Sequence, residues 1–163
     1  MQTGRIWKLG DNIDTDQIIP SQYLLLPSIA DMKIHTFESL VPDFATQFQP
    51  GDVIVAGENF GCGSSREQAP RVLQALGASA VIAKSFARIF FRNSINIGLP
   101  LIVSSEASQE AKQGDSLFHD LEQGIIEYNQ NRYVFSKFPE HVLKIIHSGG
   151  LINFINSHDE KAN

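Results

Sequence analysis

Short apolar runs rich in β-branched residues alternate with segments of helical periodicity over the first two thirds of the chain. The runs that predict strands are Arg5–Leu9, Val53–Ala56, Ala80–Ala83 and Leu99–Val103. The pattern predicts helices at Arg71–Leu76, with Gly77 as the stop, and at Ser85–Asn93, with Ser85 as the N-terminal cap. Because strands alternate with helices, we expect a partly parallel α/β core.

The last third of the chain has a different pattern. Its short alternating runs predict antiparallel strands at Asp115–Phe118, Ile125–Tyr128 and Arg132–Phe135, with a tight turn at Asn129–Asn131. A helix is expected over Pro139–His147, ended by Gly149-Gly150, with one or two further turns over Leu151–Asn156. The polar tail at about 157–163 is expected to fray.

The segment before the second strand is irregular. Gly10–Asp16 is rich in turn residues, Tyr23–Met32 predicts a loop with short helical turns, and Ile34–Leu40 predicts a short helix. No linker or internal repeat divides the sequence. Residues 1–163 are therefore predicted to form a single domain.

Composition narrows the class of protein. Of the 163 residues, 42% are hydrophobic and 19% charged, so the chain can bury a core rather than remain disordered. The formal net charge is −5 and the basic residues are scattered, which argues against nucleic acid or an anionic membrane as partner. No apolar run approaches the roughly 20 residues that span a bilayer, and the N-terminus lacks the apolar core of a signal peptide. We expect a soluble, cytoplasmic protein.

Residues that could bind a metal are few. Cys62 is the single cysteine, so it cannot form an intrachain disulfide and cannot alone hold an iron–sulfur cluster. The five histidines show no metal-ligand spacing and are expected at the surface or at helix ends. No metal site is predicted on this chain.

A glycine–serine loop carries the main chemical signal. Gly61 and Gly63 permit sharp backbone turns and close approach of a ligand. Ser64, Ser65 and Arg66 follow near the start of a predicted helix, where free N–H groups and the helix dipole favour an anion. Arg66 can grip a carboxylate with two hydrogen bonds. These residues predict an anion site with a hydroxyl beside it.

Other interpretations of this loop stay open. The serines could cap the helix while the glycines make a turn, and a phosphate loop would need the Lys-Ser/Thr ending that is missing here. Pro70 is tolerated only in a first helical turn, so the helix is expected to begin near Gln68 or to bend. As an alkoxide, Ser64 could act as a base, which requires about 1.4 kcal/mol of preferential stabilisation for each pKa unit of lowering.

Four motifs together resemble one enzyme family. They are Asp11–Pro20, Gly57–Glu67, Lys84–Phe90 and Asn93–Pro100. In this order they closely resemble the small subunit of 3-isopropylmalate dehydratase, and the resemblance runs from about residue 4 to residue 151. It implies an α/β fold of the swivelling β/β/α type found in the last domain of aconitase. Such a domain has a mixed parallel and antiparallel sheet, or a partial barrel, with flanking helices.

The resemblance also implies a division of labour between two chains. A separate large subunit would carry a [4Fe–4S] cluster on three cysteines, and this chain would bind no cofactor. Ser64 would be the catalytic base, and Ser65 and Arg66 would hold a substrate carboxylate. Thr15 would face the substrate, and Asp16, also counted as catalytic, would fix the hydrogen bonding or charge of the Ser64–Arg66 region. The family's reaction isomerises the dicarboxylate 2-isopropylmalate to 3-isopropylmalate, by dehydration and rehydration, in leucine synthesis.

Substrate choice in this family depends on the substrate-specificity loop, which here is Tyr23, Leu24, Leu25 and Leu26. Citrate- and homocitrate-type enzymes use an arginine in this region, whereas the nearest cation here is Lys33. An unpaired carboxylate costs several kcal/mol, while each buried methylene contributes about 0.8 kcal/mol. The loop therefore favours an alkylmalate, such as isopropylmalate or 2,3-dimethylmalate, unless the leucines belong to the core.

Two features keep alternatives open. Gln68 stands where the family usually has histidine, so a homoaconitase-type or dimethylmalate hydro-lyase, or a non-catalytic anion-binding module of the same fold, remains an alternative. Lys84, Arg88 and Arg92 recur every four residues and would form one basic stripe on a helix. That stripe would either be solvated or face the large subunit or its anionic substrate.

Overall fold

The structure, a computed structural model, describes residues 2–162. Its strands are β1 (Gln2–Lys8), β2 (Val53–Val55), β3 (Ala80–Ala83), β4 (Leu101–Val103), β5 (Ser116–Asp120), β6 (Ile125–Tyr128) and β7 (Asn131–Val134). Its α-helices are α1 (Thr15–Ile18), α2 (Ile29–Met32), α3 (Phe44–Gln47), α4 (Gln68–Ala75), α5 (Arg88–Asn96), α6 (Ser105–Glu110), α7 (Glu140–His147) and α8 (Leu151–Asp159). Short 3₁₀ turns lie at Ser21–Tyr23 and Lys33–His35.

The seven strands form one mixed, curled sheet in the order β4-β3-β2-β1-β5-β6-β7. Strands β1 to β4 are parallel, and β5, β6 and β7 extend the other side of β1 as an antiparallel meander. The predicted hairpin between β6 and β7 is confirmed, because Asn129 and Gln130 both adopt positive φ angles (50° and 66°). The expected mixed sheet with flanking helices is therefore confirmed.

Side chains of the parallel strands alternate between two separate cores. One core contains Trp7, Ile54 and Val81 together with residues of α4 and α5. The other contains Ile6, Val55 and their neighbours, packed against α6 and the antiparallel strands. Both faces of the parallel strands are thus covered, which explains their nearly continuous apolar sequences.

The first core is rich in aromatic rings. Phe44 packs edge-on against Trp7, at 4.9 Å between ring centroids, and against Phe37, at 4.8 Å. Phe60 packs edge-on against Phe90 at 5.4 Å. Phe90 lies directly against Gly61, so the Phe60–Phe90 pair supports the loop that follows β2.

The predicted helix at Ile34–Leu40 is wrong. The segment contains only the 3₁₀ turn Lys33–His35 followed by further turns. Phe37 has φ of 54°, is fully buried, and donates its N–H to the Ile18 carbonyl oxygen at 3.0 Å. Burial of this ring therefore overrides local helical periodicity.

Two other differences concern helices. Helix α8 continues to Asp159, into the 157–163 tail that was expected to fray, and Asn163 lies outside the described residues. Helix α6 was not predicted, although Ser104 caps it by accepting the Ala107 N–H at 3.3 Å. None of the helices within residues 2–162 is long and apolar enough to cross a bilayer.

His119 contradicts the expectation that the histidines lie at the surface or at helix ends. It lies within β5, is 2% exposed, and its Nε2 is 3.1 Å from Ser79 Oγ. Among the described residues its Nδ1 has no hydrogen-bond partner. Burial lowers the pKa of His119 from 6.5 to about 4.

Acidification is expected to destabilise the protein through His119. Between pH 6.5 and about pH 4 the unfolded chain protonates this histidine while the folded chain does not, so folding stability falls as the pH falls. The wild type should lose about 2.5 kcal/mol from this group between pH 7 and pH 4.5, a loss absent from His119→Gln. Urea unfolding at both pH values measures it, with the exposed His141→Gln as control. Equal pH dependence in wild type and His119→Gln would contradict the assignment.

Candidate active site

Three loops meet at the carboxyl ends of the parallel strands, the usual place for ligands in open parallel sheets. They follow β1, β2 and β3, and single hydrogen-bonded bridges join them. The Gly61 N–H donates to the Ile13 carbonyl oxygen at 2.7 Å, and Phe60 forms a parallel bridge with Phe86. The glycine–serine loop is thus held between its two neighbours.

The first loop contains α1, whose start is fixed by a capping box. The Asp14 carboxylate accepts the Gln17 N–H at 2.7 Å, while the Gln17 side chain accepts the Asp14 N–H at 3.0 Å. This orients Thr15, which is buried and donates its hydroxyl to the Ser64 carbonyl oxygen at 2.7 Å. The Thr15 N–H also donates to the Cys62 carbonyl oxygen at 2.9 Å. Thr15 therefore holds the backbone of the glycine–serine loop.

Arg66 is the only residue of the Ser64–Arg66 group with a mostly buried side chain (16% exposed), whereas Ser64 and Ser65 are exposed. Its Nη1 donates to Asp16 Oδ1 at 3.1 Å and to the Ile19 carbonyl oxygen at 3.1 Å. The hydrogen bond from Arg66 and a second from the Ser21 N–H lower the pKa of Asp16. Asp16 is thus ionised and orients the guanidinium.

The loop leaves several backbone donors free. Helix α4 begins at Gln68, and Pro70 lies in its first turn, as expected. Within residues 2–162 no acceptor pairs with the N–H groups of residues 64–67. Free N–H groups beside a guanidinium make a site for an anion.

A cavity of about 210 Å³ adjoins this loop. Its lining includes Thr15, Ser65 and Arg66 from the first two loops, and Arg88 and Asn93 from α5. A larger cleft of about 990 Å³ lies at the amino ends of the same strands and is lined by residues such as Ser79 and His119. We assign the candidate site to the smaller cavity because Ser65 and Arg66, whose N–H groups are free, line it; the exposed Ser64 lies next to this lining in the sequence but is not part of it.

Asn93 was not singled out as a site residue from the sequence, whereas Arg88 was expected either to be solvated or to face the large subunit or its anionic substrate. Ser85 was expected to cap their helix, but its side chain instead accepts the Asn59 N–H at 2.8 Å. The helix therefore begins only at Arg88. Lys84 consequently lies in a loop, and the predicted basic stripe is reduced to the exposed Arg88 and Arg92.

The substrate-specificity loop begins close to Arg66. Ser21, which opens the turn leading into it, donates its N–H to the same Asp16 Oδ1 at 3.1 Å. Leu24 and Leu26 are half-buried against the first core, whereas Leu25 is 93% exposed. The proposal that all three leucines are core residues therefore does not hold for Leu25.

Comparison with known proteins gives the relationship of the whole chain. The family of aconitase C-terminal domains matches residues 30–106. The 3-isopropylmalate dehydratase small subunit of Lachnospira eligens is 52% identical over 151 residues, which cover 92% of this chain and 91% of the relative. This chain belongs to the family of 3-isopropylmalate dehydratase small subunits. The fold expected from the motifs, that of the aconitase C-terminal domain, is confirmed.

Other members show how far the similarity extends. The crystal structure of 3-isopropylmalate dehydratase from Methanocaldococcus jannaschii superimposes with a TM-score of 0.91 at 40% identity, covering 98% of this chain and 96% of that chain. The methanogen homoaconitase small subunit of Methanothermobacter thermautotrophicus is 49% identical over 152 residues, covering 92% of this chain and 88% of the relative. Overall sequence identity therefore does not distinguish the relatives named 3-isopropylmalate dehydratase from the one named homoaconitase. Only the residues of the site can make that distinction.

Proposed function

We propose that this chain is the small subunit of a 3-isopropylmalate dehydratase and completes an active site with an iron–sulfur large subunit. The observation that carries the proposal is the anion site at Ser64–Arg66, where Arg66 is held by Asp16 and the neighbouring N–H groups are free. Family membership supports the same reaction. The complex would interconvert 2-isopropylmalate and 3-isopropylmalate in leucine synthesis.

Each group in the loop has a distinct part in this reaction. Arg66 and Ser65 bind one substrate carboxylate, which places the adjacent carbon over Ser64. The Ser64 alkoxide removes the proton from that carbon as the hydroxyl on the neighbouring carbon leaves as water. In the rehydration, a proton is returned to the carbon that lost the hydroxyl, and the hydroxyl of water adds to the carbon that lost the proton. The free N–H groups and the Arg66 cation would stabilise the Ser64 alkoxide electrostatically.

This chain cannot itself hold the cluster. It has one cysteine, Cys62, and within residues 2–162 no three His, Cys, Asp or Glu side chains are grouped for a metal. We propose that a [4Fe–4S] cluster on the large subunit supplies the Lewis acid for the leaving hydroxyl. The chain alone is then inactive.

The exposed end of the specificity loop supports an alkylmalate as substrate. Leu25 offers an exposed apolar surface. A third carboxylate there would meet an apolar wall without a charged partner, which costs several kcal/mol. An isopropyl group gains about 0.8 kcal/mol for each methylene it buries.

Reconstitution tests the proposal. The purified chain is expected to show no turnover, and addition of a cluster-loaded large subunit should give dehydration of 2-isopropylmalate, followed by absorbance of the unsaturated diacid. 2,3-Dimethylmalate and homocitrate, assayed in parallel, distinguish the related hydro-lyases. Turnover by the chain alone, or a complex that prefers homocitrate, would contradict the proposal. A complex that binds the diacids without any turnover would favour a non-catalytic anion-binding module.

A further inference from the structure

Three side chains form a closed cluster behind the specificity loop. The Tyr23 ring stacks on His35, with 3.7 Å between centroids and 5° between planes. The Tyr23 hydroxyl donates to Glu38 Oε2 at 2.5 Å, and His35 Nδ1 is 3.4 Å from Glu38 Oε1. Each member therefore contacts the other two.

The charge state of the cluster strengthens its hydrogen bond. The hydroxyl of Tyr23 lowers the pKa of Glu38, and the Glu38 carboxylate raises the pKa of Tyr23. The pair is thus a neutral phenol donating to a carboxylate near neutral pH. Hydrogen bonds of this charge-assisted type are shorter and stronger than those between neutral groups.

The cluster holds Tyr23, the first residue of the loop. Two residues earlier, the Ser21 N–H donates to Asp16, which also accepts the Arg66 guanidinium. The segment that carries His35 and Glu38 is itself tied to the turn beside Arg66, because Phe37 donates its N–H to the Ile18 carbonyl oxygen at 3.0 Å. The start of the loop is therefore held relative to Arg66 by two separate connections.

This arrangement leaves Leu25 exposed on a fixed support. Tyr23, Leu24 and Leu26 pack against the first core, while Leu25 projects away from it at 93% exposure. An apolar wall discriminates between alkyl groups of different length only if it stays at a fixed distance from the carboxylate grip. A mobile wall would move to accept shorter groups at little cost.

We propose that His35 and Glu38 are positioning residues that set the alkyl-length specificity of the site by holding Tyr23, and through it Leu25. The proposal rests on the proposed function as an alkylmalate dehydratase subunit. His35 and Glu38 contact neither the reacting atoms nor Arg66, so they act on substrate preference through the loop and leave the chemistry at Ser64 in place.

The test compares Tyr23→Phe and Glu38→Ala with wild type in the reconstituted complex. Tyr23→Phe keeps the ring and removes only the hydroxyl, so it tests the cluster even if Glu38→Ala folds poorly. The measured quantity is the ratio of kcat/KM for 2-isopropylmalate to that for 2-methylmalate. This ratio should fall by up to roughly 15-fold, the discrimination that two buried methylenes supply, while kcat for 2-isopropylmalate changes less.

A second readout needs no activity. The Leu24 and Leu26 N–H groups donate to the Ser21 and Tyr23 carbonyl oxygens, respectively. Hydrogen exchange of these two amides should be faster in both variants of the isolated chain. Glu127→Ala is the matched control, because it removes an exposed carboxylate paired with Arg132 at 2.6 Å on the β6–β7 hairpin. It should change neither the ratio nor the exchange.

The outcomes separate this proposal from the proposed function. A wild-type complex that turns over no alkylmalate overturns the proposed function and, with it, the role given to the cluster. An active wild type whose variants keep the wild-type substrate ratio overturns the positioning role alone, whether or not the loop amides exchange faster. Unchanged exchange in both variants also overturns it.

Discussion

Ser64→Ala in the reconstituted complex is expected to lower kcat by about 10²- to 10⁴-fold, the usual contribution of a positioned acid–base group. KM should change little, because Ser65, Arg66 and the free N–H groups still bind the carboxylate. The fold should be unaffected, since Ser64 is exposed and it is its backbone carbonyl, not its side chain, that accepts the Thr15 hydroxyl. Steady-state kinetics with 2-isopropylmalate measure both constants.

The control for this variant is Ser116→Ala, an exposed serine on β5 in the antiparallel half of the sheet. It should retain wild-type kcat. The proton transfer itself can be followed by exchange of the substrate's carbon-bound hydrogen with deuterium from solvent, which Ser64→Ala should also slow. Wild-type turnover by Ser64→Ala would show that another group moves the proton.

The strands were predictable because their apolar runs are long, β-branched and bounded by turn residues. Val53–Ala56 and Ala80–Ala83 differ from the observed β2 and β3 by at most one residue. The start of a helix was less predictable where the expected capping side chain hydrogen-bonds to a residue far away in the sequence. Ser85 looked like a cap, but its hydroxyl is used by Asn59, 26 residues earlier, and the chain stays extended as far as Ala87.

The candidate site was likewise predictable from the sequence only in part. The residue types at 61–66 predicted an anion pocket from the chemistry of glycine, hydroxyl and guanidinium groups alone. The partnership of Asp16 with Arg66, 50 residues apart, was expected only through resemblance to a family, because local pattern carries no information on such pairs. The cluster of Tyr23, His35 and Glu38 was not predicted, since its geometry depends on turns that Phe37 imposes by entering the core.

Gly61→Ala is expected to destabilise the fold by about 2–5 kcal/mol, from two causes that add at this position. Gly61 has φ of 83°, and a residue with a Cβ pays about 1–2 kcal/mol in the left-handed region. Its Cβ would also lie 2.2 Å from Cγ of Phe90, a 3%-exposed residue packed on Phe60, and such overpacking costs typically 1–3 kcal/mol. Urea unfolding of the purified chain measures the loss.

Gly63→Ala separates the two causes, because it shares the backbone strain but not the clash. Gly63 has φ of 90°, and the nearest atom to its added Cβ is Cβ of Asp14 at 3.4 Å, an ordinary contact. It should therefore lose only about 1–2 kcal/mol, and Phe90→Leu should recover part of the loss in Gly61→Ala but none in Gly63→Ala. Equal losses in the two alanine variants would contradict close packing of the loop on Phe90. Because the same packing fixes the backbone that carries Ser64, the extra loss in Gly61→Ala should be accompanied by a lower kcat in the complex.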